Sequence, residues 1–312
     1  MTPNPVWITL DAERGPAQWE AFVKEAAPYG VILFARHLKS PQQVRDLNAL
    51  IHEAVLGWAP RIALDQEGGR VNRLASLGMA FPSAADMSGD PERTRTLALD
   101  MGEHLKDLGF DVDFAPVADL GPAHAGTGLE GRVYSDEPAA VTACCEAFLH
   151  GLAGAGIAGC LKHFPGLGGS RVDSHRGLPS MEGGEAERRP HLDPYEALVG
   201  RVPYVMVAHG AYPAFLGSDT PSTLCSRTYG ILAGLGFTGL SITDDLGMGA
   251  VSGLMDLPAL AECALSAGAS LALWASSQEA SLRALDSLLG RPAFLANRRA
   301  LGIWLERGDN RP

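Results

Sequence analysis

The sequence has no long hydrophobic run and no basic segment at its N-terminus. Its first residues, Met1 to Trp7, lack the charged and apolar regions of a secretory signal. No apolar stretch approaches the ~18–20 residues that a transmembrane helix needs. These absences predict a cytoplasmic protein without a membrane partner.

Basic residues are in the minority, which argues against nucleic acid as a partner. The chain of 312 residues carries 25 Lys and Arg against 36 Asp and Glu, for a formal net charge of −11. An acidic protein repels phosphate backbones and anionic membrane surfaces. We therefore expect neither as a partner, although the charge by itself identifies no substrate.

Patterns typical of a metal centre, a disulfide framework or a phosphate-binding loop are also missing. The cysteines are odd in number and lack CxxC spacing, so free thiols are expected. They are Cys144, Cys145, Cys160, Cys225 and Cys263. Neither a GxxxxGK[ST] loop nor a GxSxG elbow occurs, so nucleotide phosphate and a serine nucleophile have little support. The prediction is an enzyme without cofactor or metal.

Short apolar runs recur along the chain and are typical of buried parallel strands. We place eight of them at Val6–Leu10, Val31–Phe34, Ile62–Leu64, Val112–Phe114, Cys160–Leu161, Val205–Ala208, Leu240–Thr243 and Leu271–Leu273. Between the runs, Ser40-Pro41 and Asp90-Pro91 combine an N-cap with proline at the first helical position. Further helices are predicted to begin at Pro138, Pro194 and Pro258.

Strand and helix alternate from end to end, which predicts a parallel sheet with right-handed crossovers. Eight units favour a closed barrel over an open sheet. We therefore predict an α/β protein with a single (β/α)8 TIM-type barrel as its catalytic domain over residues 1–306. A polar tail follows at residues 307–312.

Ionisable residues stand at the carboxyl ends of four of these runs. They are Asp65, Lys162 with His163, His209, and Asp244 with Asp245. In such barrels the chemistry lies at that end of the strands. Any one of these residues could simply cap a neighbouring loop. Together they are costly unless they are paired or used, so they indicate an active site.

The fifth run leads into a long glycine-rich segment that ends at His175. A loop of this length is usually functional or mobile, and it places Asp173 two residues before His175. A carboxylate that orients an imidazole suits general acid-base catalysis; a solvated surface histidine is the alternative. A metal held by His163, His175 and His209 would need converging ligands, and the positive charge of Lys162 would oppose the binding of a cation.

Several motifs in one order resemble glycoside hydrolase family 3. They are Leu64–Val71 (LDQEGGRV), Lys162–Gly166 (KHFPG), Asp173–His175 (DSH) and Thr243–Met248 (TDDLGM). The resemblance covers most of the chain and is greater to the cytoplasmic β-N-acetylglucosaminidase branch, the NagZ type. In that branch the barrel stands alone, without a second domain.

The resemblance implies a retaining hydrolase that works through a covalent glycosyl-enzyme. Asp244 matches the nucleophile, His175 the general acid/base and Asp173 its partner. The residues that match those holding the sugar hydroxyls are Asp65, Arg73, Arg132, Lys162 and His163.

Two positions depart from the family pattern. The family usually has histidine and aspartate where this chain has Leu167 and Gly169. Both lie in the loop that carries the acid/base, so fewer polar side chains are available to hold it. We therefore predict a loop that is mobile without ligand, with His175 then away from Asp244.

The expected function is an exo-acting retaining β-N-acetylglucosaminidase that acts as a monomer on small carbohydrate substrates. By resemblance alone, the substrates are cell-wall muropeptides and the process is peptidoglycan recycling. One alternative is a β-glucosidase or a glycoside phosphorylase, since a histidine acid/base repels phosphate less than a glutamate would. The other is a non-catalytic sugar-binding relative.

Overall fold

Strands and helices alternate throughout the computed structural model, which describes residues 2–307. The strands are β1 (Asn4–Ile8), β2 (Pro28–Ile32), β3 (Arg61–Leu64), β4 (Gln66–Gly68), β5 (Val71–Asn72), β6 (Val112–Asp113), β7 (Ala158–Phe164), β8 (Tyr204–Val207), β9 (Leu240–Thr243) and β10 (Ala272–Leu273). The α-helices are α1 (Pro16–Ala26), α2 (Pro41–Glu53), α3 (Pro91–Asp107), α4 (Pro138–Gly154), α5 (Glu185–Leu198), α6 (Pro213–Leu216), α7 (Ser226–Gly234), α8 (Leu257–Ala267), α9 (Gln278–Leu288) and α10 (Pro292–Glu306). Short 3-10 turns lie at Ala35–His37, Arg73–Leu77, Ala85–Met87, Val199–Arg201 and Ser222–Leu224. Within the described residues, no helix has the length and apolar character needed to cross a membrane.

Eight of the strands form one parallel sheet that closes on itself. Their order is β10-β1-β2-β3-β6-β7-β8-β9, while β4 and β5 form a separate antiparallel hairpin. The sheet closes through a parallel bridge between Ile242 and Leu271. There the amide of Thr243 donates to the carbonyl of Leu271 over 3.1 Å. The predicted (β/α)8 barrel is confirmed, and residues 308–312 of the predicted tail lie outside the described part of the chain.

The predicted strands are all present, with some ends displaced. β2 begins at Pro28 rather than Val31, and β7 is longer than predicted at both ends. The proposed N-caps are formed: Ser40 accepts a hydrogen bond of 3.3 Å from the amide of Gln43. Asp90 does the same for α3, at 3.0 Å.

The helix predicted to begin at Pro194 begins earlier, so this prediction was wrong. α5 starts at Glu185 and keeps Pro190 and Pro194 inside it. Its start is capped by Glu187, whose carboxylate accepts the amide of Gly184 over 2.9 Å. A cap residue followed three positions later by glutamate is a recognised start signal, which the prolines obscured. The earlier start shortens the loop after β7 and places the first turns of α5 beside it.

Aromatic side chains fill the barrel interior. Trp7 packs edge-on against Phe114 and Tyr29, with ring centroids 5.0 and 5.6 Å apart. Gly30 of β2 leaves room for this packing, because a Cβ there would lie 2.3 Å from the Trp7 ring. Burial of each large apolar side chain contributes about 1.5–3 kcal/mol. The filled interior confines the polar chemistry to the strand ends and the loops that follow them.

Candidate active site

A cavity of about 310 Å³ lies at the carboxyl ends of the strands. It is bordered by all eight residues to which the family resemblance gives a role: Asp65, Arg73, Arg132, Lys162, His163, Asp173, His175 and Asp244. Part of the wall is apolar and comes from Ile32, Phe34, Met206 and Leu273. The volume is near the lower end of small-ligand pockets, ~300–1,000 Å³.

Lys162 lies at the centre of a buried network of charges. Its side chain is 2% exposed, and its Nζ is 2.9 Å from Asp65 Oδ1 and 2.6 Å from Glu67 Oε1. Arg132 donates twice to Glu67, over 2.7 and 2.8 Å. Arg73 approaches Asp65 at 3.5 Å. Three cations and two carboxylates therefore present fixed donors and acceptors to whatever occupies the cavity.

Opposite charges outweigh burial in setting the protonation of this network. Burial would raise the pKa values of Asp65 and Glu67, but neighbouring cations hold both below their usual range. Burial would lower the pKa of Lys162, but the same two carboxylates raise it instead. All three groups are therefore charged at neutral pH, and their hydrogen bonds are of the stronger, charge-assisted kind. Glu67 was not selected from the sequence, although it lies two residues after Asp65 in the motif.

His163 is oriented by Asp119, a second residue that the sequence did not single out. Asp119 is fully buried, and its Oδ2 lies 2.7 Å from His163 Nδ1. Its other oxygen accepts the amide of Leu167 over 2.6 Å. Burial would raise the pKa of Asp119, but His163 lowers it. The available signal was an acidic residue within an apolar stretch, shortly after a strand.

Asp244 and Asp245 both border the cavity, but their carboxylates have different partners. Asp245 Oδ1 accepts the amides of Gly247 and Ala275 over 2.8 and 3.1 Å, and burial raises the pKa of Asp245. Asp244 Oδ1 accepts only the amide of Asp245 among the hydrogen bonds of the described residues, at 2.9 Å. Asp245 thus holds the segment after β9, which leaves Asp244 as the less engaged carboxylate.

His209 supports this segment from outside the cavity. Its Nε2 is 3.0 Å from the carbonyl of Asp245, and its Nδ1 is 2.8 Å from the hydroxyl of Thr223. Burial lowers the pKa of His209, so the ring is neutral. Of the three histidines considered as metal ligands, His163 and His175 border the cavity and His209 does not. Between residues 2 and 307 no group of three or more His, Cys, Asp or Glu is arranged to hold a metal ion.

Asp173 and His175 reach the cavity from the loop that follows β7. Asp173 Oδ1 lies 3.0 Å from His175 Nδ1 and also accepts the His175 amide over 2.9 Å. Burial would raise the pKa of Asp173, but these two bonds lower it. The carbonyl of Ser174 accepts the amide of Ala250 over 3.0 Å, so the loop rests on the segment after Asp244. The His175 side chain is 66% exposed at the cavity mouth.

The sequence matches known glycoside hydrolases over most of its length. Residues 11–293 match the family described as glycosyl hydrolase family 3 N terminal domain. A beta-hexosaminidase of Alkalilimnicola ehrlichii is 35% identical over 298 residues, which cover 90% of this chain and 83% of that protein.

Solved structures have the same fold. A family 3 beta-N-acetylglucosaminidase from Paenibacillus sp. str. FPU-7 superposes with a TM-score of 0.85 at 31% identity, over 95% of this chain but 60% of that one. NagZ from Neisseria gonorrhoeae, in complex with N-trifluoroacetyl-D-glucosamine, superposes with a TM-score of 0.84 at 25% identity, over 96% and 90%. The chain belongs to glycosyl hydrolase family 3 and is a glycoside hydrolase.

Proposed function

We propose that this enzyme is a retaining exo-β-N-acetylglucosaminidase that releases terminal GlcNAc from small glycosides. The observation that carries the proposal is that Asp244 and a hydrogen-bonded Asp173–His175 pair border one cavity. A nucleophile and a separate proton donor beside one pocket are what double displacement at an anomeric carbon requires. The choice of an acetamido sugar is supported by the names of the similar proteins and by the glucosamine derivative bound in one of them.

In the first displacement a carboxylate oxygen of Asp244 attacks the anomeric carbon. The bond from that carbon to the leaving oxygen breaks, and His175 Nε2 gives its proton to this oxygen. Asp173 accepts a hydrogen bond from Nδ1 at 3.0 Å, which fixes the ring orientation and stabilises its charged form. The products are a covalent glycosyl-enzyme and the free aglycone.

In the second displacement water replaces the aglycone. His175 Nε2, now neutral, removes a proton from the water as its oxygen attacks the anomeric carbon. The bond to Asp244 breaks, which returns its carboxylate and leaves the β-configured sugar. The exposed position of His175 at the cavity mouth suits this step, because water reaches it directly.

We assign the sugar hydroxyls to Asp65, Arg73, Arg132, Lys162 and His163. These groups are charged or firmly oriented, so they can form hydrogen bonds that strengthen in the transition state. The network also excludes bulk water from the inner wall, since Lys162 and Glu67 are buried. We further propose that one such barrel acts as a monomer in the cytoplasm on muropeptide fragments. Gel filtration tests the oligomeric state, cell fractionation tests the location, and assay of purified fragments tests the substrate.

The function is tested with 4-nitrophenyl β-glycosides of GlcNAc, glucose and GalNAc, assayed side by side with and without phosphate. Preference for GlcNAc with phosphate-independent rates is the expected result. Faster turnover with phosphate and a sugar phosphate product would identify a phosphorylase. Preference for glucose would identify a β-glucosidase. Sugar binding without turnover of any substrate would identify a non-catalytic relative.

A further inference from the structure

Arg188, near the start of α5, is a buried cation that forms an ion pair with no acidic side chain among residues 2–307. It is 4% exposed, and the carboxylate of Asp119 adds a negative charge to its surroundings without pairing with it. Its neighbour His191 adds no second cation, because burial and Arg188 lower the pKa of His191 to about 4. A buried charge is costly unless hydrogen bonds compensate for its lost hydration. The hydrogen-bond partners of Arg188 therefore indicate its role in the structure.

Those hydrogen bonds are made to the base of the acid/base loop. One Nη of Arg188 donates to the carbonyl of Gly168 over 3.3 Å, and the other donates to the carbonyl of Gly166. The hydroxyl of Tyr212 donates to the same Gly166 carbonyl over 2.8 Å. The guanidinium also lies 5.2 Å from the centre of the Tyr212 ring. Arg188 and Tyr212 thus form a clamp on the loop backbone at the carbonyls of Gly166 and Gly168.

The clamped stretch is tightly packed. Leu167 is 5% exposed and belongs to an apolar cluster with Leu129 and Ala208. A Cβ on Gly168 would lie 2.1 Å from the carbonyl oxygen of Leu120. Leu167 and Gly168 are therefore closely surrounded, which limits how far this stretch of backbone can shift.

Beyond this stretch most of the loop is more exposed, although the carbonyl of Ser174 accepts the amide of Ala250. Gly169 adopts a φ of +80°, and a Cβ there would meet no atom within 4 Å. Arg171, Val172, His175 and Arg176 beyond it are all exposed. Gly169 therefore separates a fixed base from a tip that carries Asp173 and His175.

We propose that Arg188 is a positioning residue for the acid/base. By fixing the two carbonyls at the base, it sets where the tip begins and so brings His175 to the cavity mouth. The inference rests on the proposed function, because it assigns proton transfer to His175. Loss of the clamp leaves His175 in place for only a fraction of the time, and the rate of proton-dependent steps falls to that fraction of its original value.

The first test uses Arg188→Met. Methionine resembles the aliphatic part of arginine but lacks the guanidinium group that donates the hydrogen bonds. For the cleavage of diacetylchitobiose, whose leaving oxygen needs a proton, kcat/KM is expected to fall about 10- to 100-fold. The full range for a lost general acid is ~10²–10⁴. For the 2,4-dinitrophenyl glycoside of GlcNAc, kcat/KM is expected to change by less than about 3-fold, because that leaving group departs unprotonated. Arg189→Met is the matched control, since Arg189 is half-exposed on the same helix and pairs only with Asp193 and Glu196.

The second test does not depend on activity. Arg171 and Arg176 make the loop tip a trypsin substrate, so nicking after these residues reports how often the tip leaves its place. Arg188→Met should speed this nicking about 10-fold, whereas Arg189→Met should not. Arg188→Ala should be partly rescued by added guanidinium, because Arg188 borders a second cavity of about 260 Å³ that provides a route in.

Equal losses on both substrates, or nicking no faster than in the control, would overturn the proposal. If Arg188→Met does not fold, Arg188→Lys carries the same two tests, because lysine keeps the charge but cannot reach both carbonyls. A wild-type enzyme that cleaves no glycoside would refute the proposed function instead. Faster nicking of Arg188→Met would in that case still show that Arg188 holds the base of the loop.

Discussion

Oδ2 of Asp119 lies 2.7 Å from Nδ1 of His163, and both groups are buried. The other oxygen of this carboxylate accepts the amide of Leu167 over 2.6 Å. One side chain from the segment after β6 therefore connects the His163 ring at the end of β7 to the base of the loop that carries Asp173 and His175. The proposed sugar-binding role of His163 and the position of the loop therefore depend on the same carboxylate.

Asp119→Asn should weaken the enzyme through His163. The amide oxygen can keep the bond to Leu167, but the amide NH2 would then face Nδ1 and force the proton to Nε2. We expect kcat/KM to fall about 10- to 100-fold, because a hydrogen bond to a charged group contributes ~1.5–3 kcal/mol. Steady-state kinetics on the 4-nitrophenyl glycoside of GlcNAc measure this. An unchanged kcat/KM would mean that the orientation of His163 does not matter for sugar binding.

Asp244 and Asp245 should differ sharply on substitution. Asp244→Asn is expected to lower kcat at least about 10⁴-fold, the scale for loss of a nucleophile. Asp245→Asn can keep an acceptor for Gly247 and Ala275, so its loss should stay within about 10-fold. A 5-fluoro glycosyl probe followed by peptide mass spectrometry should find the label on Asp244. Label on Asp245, or on neither carboxylate of an active preparation, contradicts the assignment.

The barrel and most of the cavity wall were predictable because their signals are local. Apolar runs such as Leu240–Thr243 mark strands, and polar residues placed directly after them lie at one end of a parallel barrel. Asp65, Lys162 and Asp244 follow this rule. Alternation of side chains along β9 predicts that only one of Asp244 and Asp245 faces the cavity. This prediction was wrong, because both border it.

The residues that were not predicted act through partners remote in sequence. The role of Glu67 is recognised only in the structure, where Arg132 donates hydrogen bonds to its carboxylate. The loop offers the same lesson: Leu167 reads in sequence as the loss of a polar contact, yet it packs in an apolar cluster. Arg188 donates hydrogen bonds to this loop instead. It belongs to α5, the helix that was predicted to begin only at Pro194. The mobility of the loop tip stays a prediction.

Asp173→Asn should impair protonation of the leaving group more than attack by the nucleophile. The amide cannot stabilise a charged His175 ring as a carboxylate does, and the backbone bond to the His175 amide is weakened too. We expect kcat/KM to fall about 10²-fold or more with unactivated aglycones. With the 2,4-dinitrophenyl aglycone the loss should be much smaller. Equal losses in a variant with a lowered unfolding temperature would assign Asp173 a purely structural role.

Glu67→Gln should destabilise the fold in a way that depends on pH. Removing one partner of a buried ion network costs about 3–5 kcal/mol, because Arg132 would stay buried without the carboxylate that it pairs with. Arg132 and Lys162 hold the pKa of Glu67 below its usual value against the effect of burial. A carboxylate with a lowered folded-state pKa contributes its full stability above the unfolded value, ~4.3, and loses it as the pH falls.

The difference in unfolding free energy between wild type and Glu67→Gln should therefore be constant from about pH 6 to 8 and shrink below about pH 4. Urea titrations at several pH values measure it. Glu92→Gln is the control, because Glu92 pairs with Arg95 on the exposed face of α3 and little change is expected there. A difference that does not vary with pH would mean that Glu67 contributes through shape and hydrogen bonding rather than through its charge. In that case another carboxylate would have to compensate for the cations of the cavity, and Asp65 is placed to do so, since it lies 2.9 Å from Lys162 and 3.5 Å from Arg73.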